Sequence, residues 1–267
     1  MIKVGFIGLG EQGKPMAVNL ANAGFDLMVH DLRREPLDEL IALGAKSATS
    51  SREVGAHSEV IEIAVVDDAQ VETVVLGEDG IIAGARPGSI LAIHSTIRPA
   101  TIRKVALESA RRGIGVIDAP VSGGPRGAQT RTMCYMVGGD KELVERCRPL
   151  FDTSAKSIFH VGPLGAGMTA KLAHQVVICL NVLAAGEGMA LAEKAGLDLT
   201  MVQEVVRAGG AQSRIADNWV KYKPTPNAGR LWCKDLMLAL ELANELGLSL
   251  PATSMAQELI EKLLADQ

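Results

Sequence analysis

"GFIGLGEQGKPM" at residues 5–16 sets Gly8, Gly10 and Gly13 in a GxGxxG spacing, directly after an apolar, β-rich run and directly before helix-forming text. Glycines cluster in many tight turns, so the spacing alone decides little. The context decides more: Asp31 lies 23 residues after Gly8 (31 − 8) and ends a second β-rich run, "DLMVHD" (26–31). In a strand–loop–helix unit the first glycine makes the tight turn and the second lets backbone N–H groups reach a pyrophosphate. The third packs helix on strand. The loop Gly8, Leu9, Gly10, Glu11, Gln12 and Gly13 is therefore expected to hold a dinucleotide. Asp31 would accept hydrogen bonds from both ribose hydroxyls and repel a 2′-phosphate, which favours NAD. Arg33 and Arg34 keep NADP open, because an arginine just past this strand pairs with that phosphate. The plainer reading makes them a solvated helix start beside Glu35.

Working outward, β-rich runs recur at "KVGFIG" (3–8), "DLMVHD" (26–31), "EVIEIAVV" (59–66), "SILAIHS" (89–95), "GVIDAP" (115–120) and "MCYMVGG" (133–139). Helix-friendly segments of ten to twenty residues separate them, the rhythm of βαβ units and a mostly parallel sheet. After Gly165 the rhythm changes. Ala, Leu, Val and Met dominate 165–195 without a proline, enough for one helix of ~45 Å that leaves one domain and becomes the backbone of another. Helical text follows at 199–208, 231–246 and 252–265, with a loop at "KYKPTPNAGR" (221–230). The expected fold is a doubly wound α/β Rossmann-type domain over residues 1–162, then an all-helical domain over 163–267, joined through the long helix.

Composition narrows the function classes. The 267 residues are 48% hydrophobic, 22% charged and 3% aromatic, which describes a globular chain whose core is filled by small aliphatics. A formal net charge of −4 gives no general basic field for nucleic acid. Cys134, Cys147, Cys179 and Cys233 show no CxxC or Cys/His ligand spacing, so reduced thiols, no metal and a cytoplasmic setting are expected. The N-terminus lacks the pattern of a secretion signal, and no stretch reaches ~18 uninterrupted apolar residues, so no membrane partner is expected.

Polar residues gather where ligands of open α/β sheets bind, at strand ends. "HSTIRP" (94–99) and "DAPVSGGPRGA" (118–128) end two strands, and "GAGMTAKLAHQ" (165–175) opens the long helix. Each has a plainer explanation. Ser95 and Thr96 would serve as helix caps before Pro99, and Gly123-Gly124-Pro125 as a chain reversal. Lys171, His174 and Gln175 stand at i, i+3 and i+4 on one helix face, which is either wet or a pocket wall.

Taken together and in order, "GFIGLGEQGKPMAVNL", "HSTIRP", "DAPVSGGPRGA", "MVGGD", "GPLGAGMTAKLAHQ" and "WCKDLMLAL" resemble the β-hydroxyacid dehydrogenases. That family contains 3-hydroxyisobutyrate dehydrogenase, tartronate semialdehyde reductase and, more distantly, 6-phosphogluconate dehydrogenase. The resemblance implies Lys171 as the catalytic lysine and Ser122 with Gly123 as the substrate-anchoring loop. It implies Thr96 beside the nicotinamide, Val65 and Val66 against the cofactor, and Lys234 with Asp235 as the pair that closes the site. Homodimers or homotetramers that interlock the helical domains are implied as well. Two positions depart from the family. Gln175 stands where asparagine is common, and Arg131 where glycine is common.

The chemistry expected is hydride transfer between NAD and a small β-hydroxyacid or aldehyde acid, such as 3-hydroxyisobutyrate or tartronate semialdehyde. Lys171, in a partly desolvated pocket, acts as general acid/base. The Ser122 hydroxyl and the Gly123 and Gly124 N–H groups anchor the substrate carboxylate, and Gln175 steadies the hydroxyl or the carboxylate. His174 reads first as a packed or hydrogen-bonding residue. The alternatives are a non-catalytic dinucleotide-binding interaction module and a reductase of another carbonyl or imine on the same scaffold. Retention of both Lys171 and Ser122 argues against the first, and Lys171 weighs against the imine reading.

Overall fold

The computed structural model describes residues 2–225 and 227–265. Its first part comprises β1 (Lys3–Ile7), α1 (Gly13–Asn22), β2 (Asp26–His30), α2 (Arg34–Ala42), β3 (Lys46–Ser47), α3 (Ser51–His57), β4 (Val60–Ile63), α4 (Asp68–Leu76) and α5 (Ile81–Gly84). It continues with β5 (Ile90–Ile93), α6 (Pro99–Ala110), β6 (Gly115–Asp118), β7 (Val121–Ser122), α7 (Gly124–Gln129), β8 (Met133–Gly138), α8 (Lys141–Phe151) and β9 (Ala155–Gly162). The later elements are helical: α9 (Ala166–Lys194), α10 (Leu199–Ala208), a 3-10 stretch (Ala216–Lys221), α11 (Ala228–Glu245) and α12 (Pro251–Ala265).

Strand order in the sheet is β3-β2-β1-β4-β5-β6-β8-β7, with β9 added on β8. The run β3 to β6 is all parallel. The order turns back at β1 and β4, so the chain crosses to the other side of the sheet between β3 and β4; ligands of such sheets bind beyond the strand C-termini at that switch. β8 runs antiparallel to β6 and β7 and parallel to β9. This is a mostly parallel Rossmann-like sheet followed by a helical part.

The central strands are buried on both faces, and alternate side chains feed two cores. Val4, Phe6, Val60, Ile90, Ala92 and Ile117 pack into one, and Ile7, Ile61, Ile63, Leu91, Ile93 and Val116 into the other. Contacts divide the chain into residues 1–171 and 172–267, inside α9 rather than ahead of it, where the sequence places the domain break (162/163). The reason is visible along the helix: Met168 belongs to a core of the first unit, while Leu172 packs with Leu238 and Ala239 in the second. The second unit has its own larger core of Cys179, Val182, Leu183, Trp219, Leu236 and Ile260. Among the described residues α9 is the one helix long and apolar enough to cross a membrane, and its Cys179, Val182 and Met189 are buried in that core.

Three strands lie outside the runs that the sequence marks. β3 and β7 have two residues each, and β9 has no fully buried residue, so their strand character comes from pairing with distant chain. The loop expected at 221–230 is shorter than the sequence implies. α11 begins at Ala228, and Pro226 lies outside the described residues.

Candidate functional site

In the first unit the glycine loop follows β1. Gly8 has φ 93, in the left-handed region, and a Cβ there would lie 2.5 Å from the Ala64 carbonyl. A Cβ on Gly13 would lie 2.0 Å from the Gly8 carbonyl, so helix α1 enters against the loop only because position 13 is bare. Asp31, one residue past β2, reaches back to the loop and accepts the Leu9 N–H at 2.6 Å. Burial raises its carboxyl. The hydrogen bonds from the Arg33 side chain and backbone and from Leu9 outweigh that, and the group is held below its ordinary value.

Arg33 turns onto Asp31: its Nε donates to Oδ1 at 3.0 Å and its Nη2 to the Leu9 carbonyl at 2.8 Å. Arg34 points the other way and pairs with Asp38 at 2.6 Å. Both arginines are exposed at the start of α2, as a solvated helix start implies, and Arg33 is in addition paired with Asp31. Val65 and Val66 follow β4. The Val65 N–H donates to the Ser95 hydroxyl at 2.9 Å, so Ser95 ties two strand ends together. Arg98 is the N-cap of α6, and its N–H donates to Asp68 at 3.0 Å. Ser95 and Thr96 are therefore not its caps. Thr96 is half-buried, Glu11 is exposed and Gln12 is half-buried with its amide on the Met133 sulfur at 3.6 Å.

Lys171 is 8% exposed, and its Nζ donates to the Val121 carbonyl at 2.8 Å. Ser122, the next residue, is half-buried; Gly123 (φ 131) and Gly124 (φ 62) then turn the chain into α7. Only glycine holds such a pair of angles without strain. Arg131 has φ 55, the one non-glycine in that region among the described residues, at the place where the resemblance leads one to expect glycine. The left-handed conformation costs a residue with a Cβ about 1–2 kcal/mol.

What the sequence reading missed is Asp118, fully buried at the end of β6. Its Oδ1 accepts the Gly165 N–H and its Oδ2 the Met168 N–H, both at 2.7 Å. The carboxylate thus caps the N-terminus of α9, one turn before Lys171. Burial is the stronger influence and leaves the Asp118 carboxyl raised in spite of these N–H groups. The signal was present as the aspartate of "DAPVSGG", but its partners lie 47 and 50 residues later.

In the second unit Gln175, 3% exposed, donates through Nε2 to Asp235 Oδ2 at 2.7 Å. Lys234 Nζ donates to the other carboxylate oxygen at 2.9 Å. His174 Nδ1 lies 3.2 Å from Gln175 Oε1. An amide oxygen only accepts, so Nδ1 carries the hydrogen there. His174, Gln175, Asp235 and Lys234 form one hydrogen-bonded chain.

Two family models match. The NAD binding domain of 6-phosphogluconate dehydrogenase matches residues 3–162, and the NAD-binding domain of NADP-dependent 3-hydroxyisobutyrate dehydrogenase matches residues 165–267. The chain is 41% identical to the 2-hydroxy-3-oxopropionate reductase of Escherichia coli, over 99% of this chain and 92% of the relative. The chain belongs to the β-hydroxyacid dehydrogenase family. As a member it is an NAD(P)-dependent oxidoreductase acting on CH–OH groups. The NAD-dependent L-serine dehydrogenase of Pseudomonas aeruginosa is 37% identical over 99% of this dehydrogenase and 93% of the relative. The Mycobacterium tuberculosis 3-hydroxyisobutyrate dehydrogenase, solved with L-serine, superposes with a TM-score of 0.87 at 30% identity, covering 100% of this chain and 94% of that one.

An NAD(P) cofactor fits the first unit of this dehydrogenase. A side chain at Gly10 would meet nothing within 4 Å, so the loop's backbone is open to a pyrophosphate at the N-terminus of α1. Asp31 stands at the end of β2, where a ribose is read. No group of three or more His, Cys, Asp or Glu suited to a metal occurs among the described residues.

Proposed function

We propose that this dehydrogenase interconverts a small β-hydroxyacid and its aldehyde acid, 3-hydroxyisobutyrate or tartronate semialdehyde in type, with Lys171 as general acid/base and NAD preferred over NADP. The observation that carries the reading is the buried Lys171 Nζ held 2.8 Å from the Val121 carbonyl, beside Ser122. A lysine is seldom buried without a partner, and this carbonyl fixes one of its three N–H groups, leaving the ammonium directed.

The bound nicotinamide supplies the hydride acceptor or donor. Lys171 takes the hydroxyl proton in oxidation and returns it to the carbonyl oxygen in reduction. The Ser122 hydroxyl and the N–H groups of Gly123 and Gly124 hold the substrate carboxylate by charge-assisted hydrogen bonds. Gln175 stands one helical turn after Lys171 on α9. Its amide is hydrogen-bonded to Asp235 and His174, and in this proposal it steadies the substrate hydroxyl or carboxylate. His174 is a hydrogen-bond donor in this chain and not the proton carrier. Lys234 orients Asp235.

A panel tests the proposal: 3-hydroxyisobutyrate, tartronate semialdehyde and L-serine, which relatives' names contain, together with glycerate, threonate and 4-hydroxybutyrate, each with NAD and with NADP. A β-hydroxyacid used at least tenfold better than 4-hydroxybutyrate is the expected result. Equal or better use of 4-hydroxybutyrate overturns the β-position assignment.

A further inference from the structure

Beneath the strand ends that carry the site, Glu62 and His94 face each other inside a core. Glu62 on β4 pairs in register with Phe6 on β1 and Ala92 on β5, and His94 is the residue after β5. Their side chains are 2% and 1% exposed, with His94 Nε2 3.6 Å from Glu62 Oε1. Neither of these two atoms has another hydrogen-bond partner among the described residues. Phe6 lies stacked 6.4 Å from the imidazole, and Tyr135 and Phe151 stand edge-on at 5.8 Å.

The other ring nitrogen is committed. His94 Nδ1 lies 2.8 Å from the Ala119 carbonyl, which only accepts, so Nδ1 bears a hydrogen. If Nε2 were bare and Glu62 ionised, a lone pair would face a carboxylate in a medium without water, an arrangement strongly disfavoured. One further proton removes the conflict, whether it sits on Nε2 as an ion pair or on Oε1 as a neutral acid. The other titratable groups against the pair do not supply it. Tyr135 on β8 is held protonated, raised by burial first and then by the charge of Glu62, and bonds to Ser154. Cys147 on α8 is pushed up to about 12, again by burial and then by Glu62. Arg146, whose charge also reaches Cys147, is exposed.

We propose that Glu62 and His94 share one proton and act as a positioning pair that joins the C-terminal ends of β5 and β6. The backbone ladder already links Ala119 N–H to Ile93 at 2.8 Å, and the imidazole adds a side-chain bond to the carbonyl of that same Ala119. Ala119 is two residues before Val121, whose carbonyl holds Lys171. The consequence for catalysis rests on the reading of Lys171 given above. The protonation of the pair itself does not.

Nitrogen NMR of the full wild-type chain, labelled at histidine and recorded at pH 8, is the test. A protonated Nδ1, with Nε2 either protonated or accepting a hydrogen bond, is the expected result. A bare Nδ1, or an Nε2 with neither a proton nor a hydrogen bond, overturns the proposal.

Discussion

The Arg33 guanidinium lies against the Asp31 carboxylate, with Nε 3.0 Å from Oδ1 and Nη2 3.2 Å from Oδ2. With the N–H groups of Leu9 and Arg33 added, four donors address a carboxylate that has about four acceptor positions. A ribose that donates to Asp31 competes with Arg33 for its oxygens, while an arginine just past this strand suits a 2′-phosphate. The two residues oppose each other in cofactor choice. Asp31→Ser is expected to lower the NAD-to-NADP ratio of kcat/KM by roughly ten- to hundredfold, the worth of a charged hydrogen bond of ~1.5–3 kcal/mol. Arg33→Ala is expected to move it the other way. Steady-state kinetics with both cofactors read the result, and a wild-type enzyme faster with NADP would show that Arg33 dominates.

Asp118→Asn probes the start of α9. Asparagine presents an oxygen to only one of the Gly165 and Met168 N–H groups and turns an NH2 toward the other. A loss of about 1–3 kcal/mol in unfolding free energy is expected at neutral pH. The wild-type profile has a definite sign. Because the folded Asp118 carboxyl is raised, its contribution is complete below its unfolded value and declines as pH rises through the folded one. Thermal melts of both proteins from pH 3 to 7 check both statements, and a variant as stable as wild type at pH 7 would deny the cap its role.

Assembly is expected through the helical half. Met201 and Val205 stand at i and i+4 on α10, each 65% exposed, and Leu191 near the end of α9 is 74% exposed. Side chains of this size contribute about 1.5–3 kcal/mol each when buried, and a second copy of the chain is the natural cover. Light scattering at micromolar concentration is expected to give a dimer or tetramer. Met201→Asp with Val205→Asp is expected to shift the mass toward the monomer, and a monomeric wild type would refute the assembly.

How much of this was legible in the sequence follows from how local each feature is. The glycine loop is written directly after β1, and the closeness of Gly13 to the Gly8 carbonyl is local to it, whereas Gly8 is also pressed by the distant Ala64 carbonyl. The helices α9, α10 and α12 are legible because no internal proline breaks their helix-forming text. β9 is not, because none of its residues is fully buried and only the parallel pairing of Cys134 through Val137 with Ser157 through His160 makes it a strand. The cap by Asp118 joins chain 47 residues apart, and Glu62 reads as an unremarkable polar residue until β5 brings His94 to it. Arg33 was open between two readings that differ only in side-chain direction, which no periodicity encodes.

Lys171→Met separates chemistry from packing, since methionine keeps most of the length and cannot carry a proton. A fall in kcat of two to four orders of magnitude is expected, the usual worth of a general acid/base, with NAD binding close to unchanged because the glycine loop and Asp31 are untouched. Ser122→Ala is expected to act on KM, by about ten- to hundredfold, through a lost charge-assisted hydrogen bond of ~1.5–3 kcal/mol. Gln175→Asn shortens the link to Asp235, now 2.7 Å, by one methylene. With the amide set differently against Asp235, asparagine is expected to change the order of preferred acids in the panel rather than to abolish turnover. The split between the first two variants is the decisive measurement: a Lys171→Met enzyme with near-normal kcat and raised KM would make the lysine an anchor for the substrate, and the proton would have to travel by another group, His174 being the next titratable side chain on that helix face.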